Sequence, residues 1–410
     1  MEQITKPHCG ARLDRLPDCR WHSSMFAIVA FGLLVCWSNA VGGLILAQLK
    51  ALGWTDNSTT ATFSAITTAG MFLGALVGGI IGDKTGRRNA FILYEAIHIA
   101  SMVVGAFSPN MDFLIACRFV MGVGLGALLV TLFAGFTEYM PGRNRGTWSS
   151  RVSFIGNWSY PLCSLIAMGL TPLISAEWNW RVQLLIPAIL SLIATALAWR
   201  YFPESPRWLE SRGRYQEAEK VMRSIEEGVI RQTGKPLPPV VIADDGKAPQ
   251  AVPYSALLTG VLLKRVILGS CVLIAMNVVQ YTLINWLPTI FMTQGINLKD
   301  SIVLNTMSMF GAPFGIFIAM LVMDKIPRKT MGVGLLILIA VLGYIYSLQT
   351  SMLLITLIGF FLITFVYMYV CYASAVYVPE IWPTEAKLRG SGLANAVGRI
   401  SGIAAPYAVA

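Results

Sequence analysis

Four ionisable side chains interrupt apolar stretches of this sequence, and their types define the chemistry that the chain could carry out. Glu95 and His98 are three residues apart, so on a helix they would share one face and could exchange a proton. Arg399 carries a planar guanidinium, which can hold a carboxylate through two parallel hydrogen bonds. Arg118 is a second arginine in an apolar stretch. These residues point to proton exchange and anion binding.

The elements that must position these residues are long apolar segments. The 410-residue chain is 55% hydrophobic and only 13% charged, whereas soluble domains carry about 25% charged residues. A bilayer core about 30 Å thick needs roughly 20 apolar residues per helix. An all-α membrane protein is therefore predicted, with the first span retained rather than cleaved. Eleven predicted spans cover approximately residues 25–48, 62–82, 90–107, 112–137, 150–173, 181–201, 265–292, 301–323, 330–348, 352–378 and 388–410.

The net charge of +10 is distributed unevenly along the chain. Most of its basic residues lie in the N-terminal tail and in every second loop between spans. This bias predicts that the N-terminus and the long central loop are cytoplasmic. The charge then indicates topology and affinity for anionic lipid, not a nucleic-acid partner.

Chemistry of other kinds has little support in the sequence. The seven cysteines show no CxxC pairing, and His8 and His22 do not stand at zinc-ligand spacing from Cys9 and Cys19. We find no phosphate-binding loop and no arrangement of nucleophile and base. The sequence therefore predicts neither an enzyme nor a bound metal or cofactor.

Two pairs of loops show that the chain is internally repeated. GDKTGRR (82–88) recurs as MDKIPRK (323–329), 241 residues later, and the glutamate and proline of EYMPGRNRG (138–146) recur in EIWPTEAKLRG (380–390) after 242 residues. A nearly constant offset indicates a duplicated six-helix unit, an architecture of alternating-access transporters. Twelve spans are then expected and eleven are present, which suggests that the C-terminus is truncated. The predicted parts are a tail (1–24), a first bundle (25–201), a central loop (202–262) and a second bundle (263–410).

Small residues predict close helix packing within the first bundle. Gly70, Gly74 and Gly78 recur every fourth residue on the second span, and three more glycines crowd 122–126 on the fourth span. Small residues at this spacing let helices approach closely in a membrane.

Several motifs resemble the major facilitator superfamily. GDKTGRR is similar to its signature between the second and third helices, and RFVMGVGLGA (118–127) to its fourth-helix motif. PESPRWLESRGR (203–214) resembles the sequence at the end of helix six in sugar porters, organic-ion transporters and aromatic-acid/proton symporters. The whole chain resembles bacterial inner-membrane metabolite transport proteins near the sugar porters. The resemblance implies a major facilitator fold with two six-helix halves.

The resemblance also implies a gate on the cytoplasmic side. Asp83 is expected to act as a latch between the halves by facing the N-terminal end of the eleventh helix, where a carboxylate is stabilised by the helix dipole. Glu138 with Arg145, and Glu380 with Arg389, are expected ion pairs. The alternative is that these loops are basic only for membrane insertion. The candidate gating residues are Asp83, Arg87, Arg88, Glu138, Arg145, Glu204, Arg207, Asp324, Arg328, Glu380 and Arg389.

Glu95, His98 and Arg118 are the candidates for proton coupling. The helix-one aspartate that accepts the proton in related symporters is absent from FGLLVCWSNAVGG (31–43). Arg118 matches the family's fourth-helix arginine, which is implicated in proton coupling, although its side chain could instead extend to the membrane surface. Glu95 and His98 could equally form a purely structural pair.

Arg399 is the leading candidate for substrate binding. Nine residues beyond Gly390, it would lie about 14 Å deep, near the middle of a bilayer core about 30 Å thick. The repeat places the neutral Asn157 at the matching position, so the duplicated scaffold does not require this charge. The alternative is a pair with Glu380 or with a helix C-terminus. The candidate substrate-binding residues are Arg399, Asn39, Gln280, Tyr281, Asn285, Trp286 and Tyr369.

A sugar substrate is disfavoured by the residues at the positions that bind sugar in the porters. On helix seven these positions hold Ala275, Met276 and Tyr281, on helix five Ser153, and on helix ten Ala375. The sequence therefore predicts a monomeric secondary transporter that imports a small organic metabolite, favouring an organic acid, with a proton. The alternatives are a sugar or polyol porter, an exporter or uniporter on the same fold, or a transport-inactive nutrient sensor that signals through the central loop.

Overall fold

In the computed structural model, all regular secondary structure of the described residues is helical, and these residues are 7–17, 19–36, 40–141, 145–240, 254–293, 295–323, 325–349, 351–382 and 386–409. Among them, eight helices are long and apolar enough to cross a membrane. The α-helices are α1 Cys9–Asp14, α2 Arg20–Val35, α3 Gly42–Ala51, α4 Asn57–Thr85, α5 Arg87–Ala106, α6 Met111–Tyr139, α7 Arg145–Asn157, α8 Ser159–Leu170, α9 Ala176–Tyr201, α10 Pro206–Ser211, α11 Tyr215–Thr233, α12 Tyr254–Leu257, α13 Gly260–Thr293, α14 Leu298–Met309, α15 Gly311–Val322, α16 Arg328–Ser347, α17 Met352–Cys371, α18 Val378–Glu380 and α19 Lys387–Val409.

Each of the eleven predicted apolar segments is occupied by helix, and the helices start or end a few residues beyond several predicted limits. Polar caps account for some of these extensions, because Asp56 accepts a hydrogen bond from the amide of Thr59 at 2.7 Å, and Asn110 accepts one from Phe113 at 2.9 Å. Three spans consist of two helices: α2 and α3 form the first, α7 and α8 the fifth, and α14 and α15 the eighth. In the tenth, a π-helical segment (Tyr372–Tyr377) separates α17 from α18.

Close backbone packing joins the second and fourth spans, as the glycine spacing predicts. A Cβ atom added at Gly74 would lie 2.0 Å from the carbonyl oxygen of Val123, and one added at Gly126 would lie 2.1 Å from that of Met71. The second half repeats this contact, because a Cβ atom at Gly315 would lie 2.2 Å from the carbonyl oxygen of Thr364. Gly74 and Gly315 are 241 residues apart, so the repeat extends from the loops into the helix packing.

The tight turn between α4 and α5 requires the glycine of GDKTGRR. Gly86 has φ +96°, a conformation that other residues rarely adopt. A Cβ atom there would also lie 2.3 Å from a carboxyl oxygen of Glu204. The turn therefore leaves space for Glu204 to approach the start of α5.

The N-terminal tail and the central loop pack together into a small unit, which the sequence analysis did not predict. Buried apolar residues of α1 contact one face of α11, which includes Met222 and Ile225. Arg12 and Arg15 donate to Glu226 at 2.7 and 2.6 Å. Burial raises the pKa of Glu226, but the hydrogen bonds from these arginines outweigh burial and lower the pKa below its usual value. The unit lies beside Asp83, whose carbonyl accepts a hydrogen bond from Trp208 at 2.8 Å.

The described contacts between the two halves include several on the side opposite the basic loops. α4 runs from Asn57 on that side to Thr85 on the basic side. Thr62, near its start, lies 3.5 Å from the hydroxyl of Tyr407 on the eleventh span. Asn305 of α14 donates to Ser164 of α8 at 3.2 Å, and both side chains are buried. The halves are therefore joined on this opposite side in the conformation that the structure shows.

The third and ninth spans occupy matching places in the two halves but differ in burial. Nine of the 20 residues of α5 are buried, compared with four of the 20 residues of α16. The sixth span, α9, packs along α5, and no helix of the described part of the chain packs in the same way along α16. The predicted twelfth span stays a prediction.

Gly74 provides a test of the backbone contact. We expect Gly74→Ala to destabilise the protein by about 1–3 kcal/mol, because the added methyl group overpacks the contact with Val123. Gly79 of the same helix has no other atom within 4 Å of an added Cβ, so Gly79→Ala should leave stability unchanged or raise it. Thermal unfolding in detergent measures both variants. Equal stability of the two would contradict the packing argument.

Candidate functional site

A cavity of about 300 Å³ lies between the two halves. Its walls come from the first, second, fourth and fifth spans of one half and from the seventh, tenth and eleventh spans of the other. Its polar lining is formed mainly by amide, hydroxyl and guanidinium groups. The polar side chains that line it are Ser153, Asn157, Ser159, Tyr160, Asn277, Gln280, Tyr281, Ser374, Asn395 and Arg399, together with the thiol of Cys36.

Arg399 lines this cavity and has no carboxylate partner among the described residues. The alternative of a pair with Glu380 is not realised, because Arg328 binds both carboxyl oxygens of Glu380 at 2.9 and 3.1 Å. Asn157, which the repeat places at the position that matches Arg399, lines the same cavity. The guanidinium is therefore the feature by which the second half differs from the first at this position.

The structure places some of the other candidate substrate-binding residues in the cavity wall and others outside it. Gln280 and Tyr281 line the cavity. Trp286 is buried outside the lining, and Tyr369 is buried with its hydroxyl directed to the carbonyl of Val272 at 3.4 Å. Asn39 and the side chain of Asn285 lie outside the described residues.

Several lining residues were not candidates in the sequence analysis. Asn395 and Ser153 both face the cavity, and they are 242 residues apart, like Arg399 and Asn157. Asn395 and Ser153 lie one helical turn before Arg399 and Asn157. Applying the repeat offset to this preceding turn would have identified the pair. Ser374 belongs to the π-helical segment of the tenth span. Because this segment departs from the α-helical period, helical periodicity in the sequence does not predict that Ser374 lines the cavity.

Glu95 and His98 are fully buried against each other, as their spacing predicts. Oε2 of Glu95 lies 3.7 Å from Nδ1 of His98, and neither side chain is exposed. The sulfur of Cys36, on the first span, lies 3.9 Å from the same nitrogen. The pair is therefore linked to the cavity through a residue of the cavity wall.

Arg118 is buried inside the first half, so the prediction that it could extend to the membrane surface is wrong. Its guanidinium carbon lies 4.7 Å from the ring centre of Phe63, and its Nε donates to the hydroxyl of Thr67 at 3.2 Å. Both partners belong to the second span, close to the contact between the halves. A desolvated guanidinium over an aromatic face gains a cation–π interaction of about 2 kcal/mol, which fits a structural role.

On the basic side, Arg87 is the centre of a cluster of charged residues within the first half. It donates to Asp83 at 2.7 Å and to Glu138 at 2.9 Å. Arg207 donates to the carbonyl of Glu138 at 3.0 Å and to Asp14 of the tail at 3.0 Å. The cluster thus ties the second, third and fourth spans to the tail and the central loop.

Glu204 is placed at the N-terminal end of the third span. Its Oε1 accepts hydrogen bonds from the backbone amides of Arg87 at 2.7 Å and Arg88 at 3.3 Å. A carboxylate at this end of a helix is stabilised by the dipole and by the otherwise unpaired amides. The sequence analysis assigned this kind of contact to Asp83 at the eleventh span, whereas the described structure shows it for Glu204 at α5.

The same pair of loop residues binds in both halves. Arg87 binds Glu138, and Arg328 binds Glu380, at positions related by the repeat offset. The expected partners, Arg145 and Arg389, have side chains outside the described residues, as does Asp324. The expected pairs with those arginines, and the latch from Asp83 to the eleventh span, stay predictions.

Comparisons with known proteins agree with this architecture. Residues 24–406 match the family model of the Major Facilitator Superfamily. The chain is 44% identical over its whole length to the inner membrane metabolite transport protein YdjE of Escherichia coli, covering 90% of that protein. It is 25% identical over 97% of its length to the niacin transporter NiaP of Acinetobacter baylyi, covering 89% of that protein. The partially occluded inward open structure of the xylose transporter XylE from E. coli superimposes with a TM-score of 0.72 at 17% identity, over 95% of this chain and 91% of that one.

The two loop ion pairs differ in exposure and should differ in strength. Arg87 and Glu138 are 18% and 20% exposed, whereas Arg328 and Glu380 are 29% and 48% exposed. In double-mutant cycles with glutamine, we expect a coupling energy of about 1.5–3 kcal/mol for the first pair and about 0.2–1 kcal/mol for the second. Denaturant unfolding in detergent measures both. Equal coupling energies would contradict the difference in burial.

Proposed function

Because the chain belongs to the Major Facilitator Superfamily, whose members are transporters rather than enzymes, we propose that it imports a small organic acid together with a proton across the bacterial inner membrane. The observation that carries this proposal is Arg399, a guanidinium in the central cavity with no carboxylate partner in the described structure.

An arginine that lines a membrane cavity and has no carboxylate partner among the described residues favours an anionic substrate. Placing a charged side chain at the centre of a membrane costs about 2.5–3.5 kcal/mol. A substrate carboxylate would offset that cost through two parallel hydrogen bonds to the planar guanidinium. A neutral sugar would leave the charge uncompensated. The amide of Gln280 and the hydroxyl of Tyr281 in the same wall can bind the rest of a small polar molecule.

The contacts between the halves support alternating access to this cavity. The halves touch on the side opposite the basic loops, as Thr62 with Tyr407 and Ser164 with Asn305 show, and also nearer the basic side, where the ring centres of Phe154 and Phe317 are 6.2 Å apart. The charged cluster around Arg87 holds groups of the first half together. Rocking of one half against the other would separate the first set of contacts and bring the basic loops together, which is the expected motion in this architecture.

Electrostatics favour coupling of an organic acid to a proton. Moving one negative charge into a cell with a negative interior costs about 2.3 kcal/mol per 100 mV of membrane potential. A proton that accompanies a monovalent anion makes the step electroneutral. With Glu95 and His98 beside the cavity wall, the first half holds groups that can carry this proton.

A sugar or polyol is the second candidate substrate class, because one observation favours it. Asn277, Gln280 and Asn395 supply several neutral amide groups to the cavity, and such groups can bind hydroxyl groups as donors and as acceptors. The two classes differ in whether uptake requires the charge of Arg399.

Uptake by the full chain in proteoliposomes tests the proposal. We would screen radiolabelled organic acids that include nicotinate, together with nicotinamide and xylose as neutral probes, with and without an inward proton gradient. We expect an acid to accumulate only with the gradient. Arg399→Lys should lower its uptake at least about tenfold, equivalent to about 1.4 kcal/mol, because lysine lacks the planar fork, and Arg399→Ala should abolish uptake.

Arg200→Ala is the matched control, since Arg200 lies exposed at the end of α9 and should not affect uptake. Near-normal uptake of the acid by folded Arg399→Ala would overturn the anion proposal. Accumulation of xylose that survives Arg399→Ala would instead support the sugar alternative.

A further inference from the structure

The carboxyl group of Glu95 lies in surroundings that do not suit an isolated charge. The side chain is completely buried, and neither of its oxygens has a hydrogen-bond partner among the residues that the structure describes. An ionised carboxylate without hydrogen bonds inside a protein is strongly destabilised. Such a group is stable as a neutral acid or next to a cation.

His98 is the side chain that can supply the compensating charge. Its Nδ1 lies 3.7 Å from Oε2 of Glu95, and its ring is also fully buried. The pair has no net charge in two states, a neutral acid with a neutral imidazole or a carboxylate with an imidazolium. Both states hold the same number of protons, so one dissociable proton belongs to the pair rather than to either residue.

Other titratable groups do not replace His98 in this role. Between Arg181 and Arg200 the sixth span carries none, and the second span carries none before Asp83. The fourth span carries Cys117 and Arg118 in its interior, with Asp112 at its start and Glu138 and Tyr139 at its end. Gly124 of that span lies opposite His98, and Arg118 is six residues away, about 9 Å along the helix axis, where its guanidinium is directed to the second span.

Two further polar groups of the described residues, those of Tyr94 and Cys36, lie near the pair. Tyr94 of α5 donates its hydroxyl proton to the carbonyl of Gly78 at 2.8 Å, which directs this group to the second span. Cys36 of the first span approaches Nδ1 of His98 at 3.9 Å and also lines the central cavity. It directly follows the last residue of α2. The contact between Cys36 and His98 therefore connects the buried pair to the cavity at the C-terminal end of α2.

We propose that Glu95 and His98 together are the site of the transported proton, and that this proton exchanges with the central cavity beside Cys36. The proposal rests on the proposed function for the statement that this proton is transported. When the cavity is hydrated, the proton leaves the pair for water, and the pair retains a net charge of −1. The reverse step restores the neutral pair. The site has no counterpart in the second half, where the repeat offset of 241 leads from Glu95 and His98 to Leu336 and Ile339.

Infrared difference titration of the full chain in lipid vesicles tests the site without any substrate. Between acidic and alkaline pH, we expect the wild type to lose the carbonyl band of a protonated carboxyl group in apolar surroundings. Glu95→Gln should remove this band completely, and His98→Gln should shift the pH at which the band is lost. Asp112→Asn changes an exposed carboxylate at the start of α6, so it should leave the band unchanged.

The exchange path is tested by the rate at which the same band shifts after transfer into deuterated water. We expect Cys36→Trp to slow this shift, because the larger side chain fills the contact between the cavity and His98. Cys271 is an exposed cysteine of the seventh span, and Cys271→Trp should not change the rate. Equal exchange rates in the two variants would overturn the path beside Cys36.

A band that persists in Glu95→Gln, or that does not change with pH, would overturn the proton site. If Glu95→Gln does not fold, Glu95→Asp serves in its place and should shift the band. Since no substrate is present, the band can be found in a protein that transports none of the tested acids. Failure of the proposed function and failure of this site are therefore distinguishable.

Discussion

Close backbone contact between two pairs of helices is the constraint on which the rest of this structure depends. In lipid, helices gain little from hydrophobic burial and associate mainly through packing. The contact of Gly74 with Val123 and the equivalent contact of Gly315 with Thr364 bring backbones together in each half. Such contacts leave no space for a side chain between the two helices of each pair. The cavity that Arg399 lines lies between the two halves.

The sequence predicts the scaffold well because its signals are local or periodic. Apolar runs identify the helices, since a bilayer sets their length. The repeat offset identifies equivalent positions, such as Arg87 with Arg328 and Glu138 with Glu380, that form the same pair in both halves. Glu95 and His98 were found because helical spacing alone places them on one face.

Contacts between distant segments could not be predicted in the same way. Glu204 lies more than a hundred residues from the amides of α5 that it binds, and Arg12 of the tail binds Glu226 of the central loop. A glutamate in a polar loop looks the same whether it is solvated or caps a helix. The residues of the cavity wall could not be predicted for the same reason. Trp286 and Tyr369 are of residue types that bind small molecules as well as Gln280 and Tyr281 do, but only Gln280 and Tyr281 line the cavity.

The two halves share one scaffold but differ in the charges that they carry. Arg399 of the second half and Asn157 at the equivalent position of the first both line the cavity, and the pair of Glu95 and His98 corresponds to apolar residues in the second half. The proposed anion site therefore lies in one half and the proposed proton site in the other. Under these proposals, a change in the relative position of the halves would alter the separation and the hydration of the two sites. Asymmetric charges on a symmetric scaffold would then couple the two transported species across the cavity.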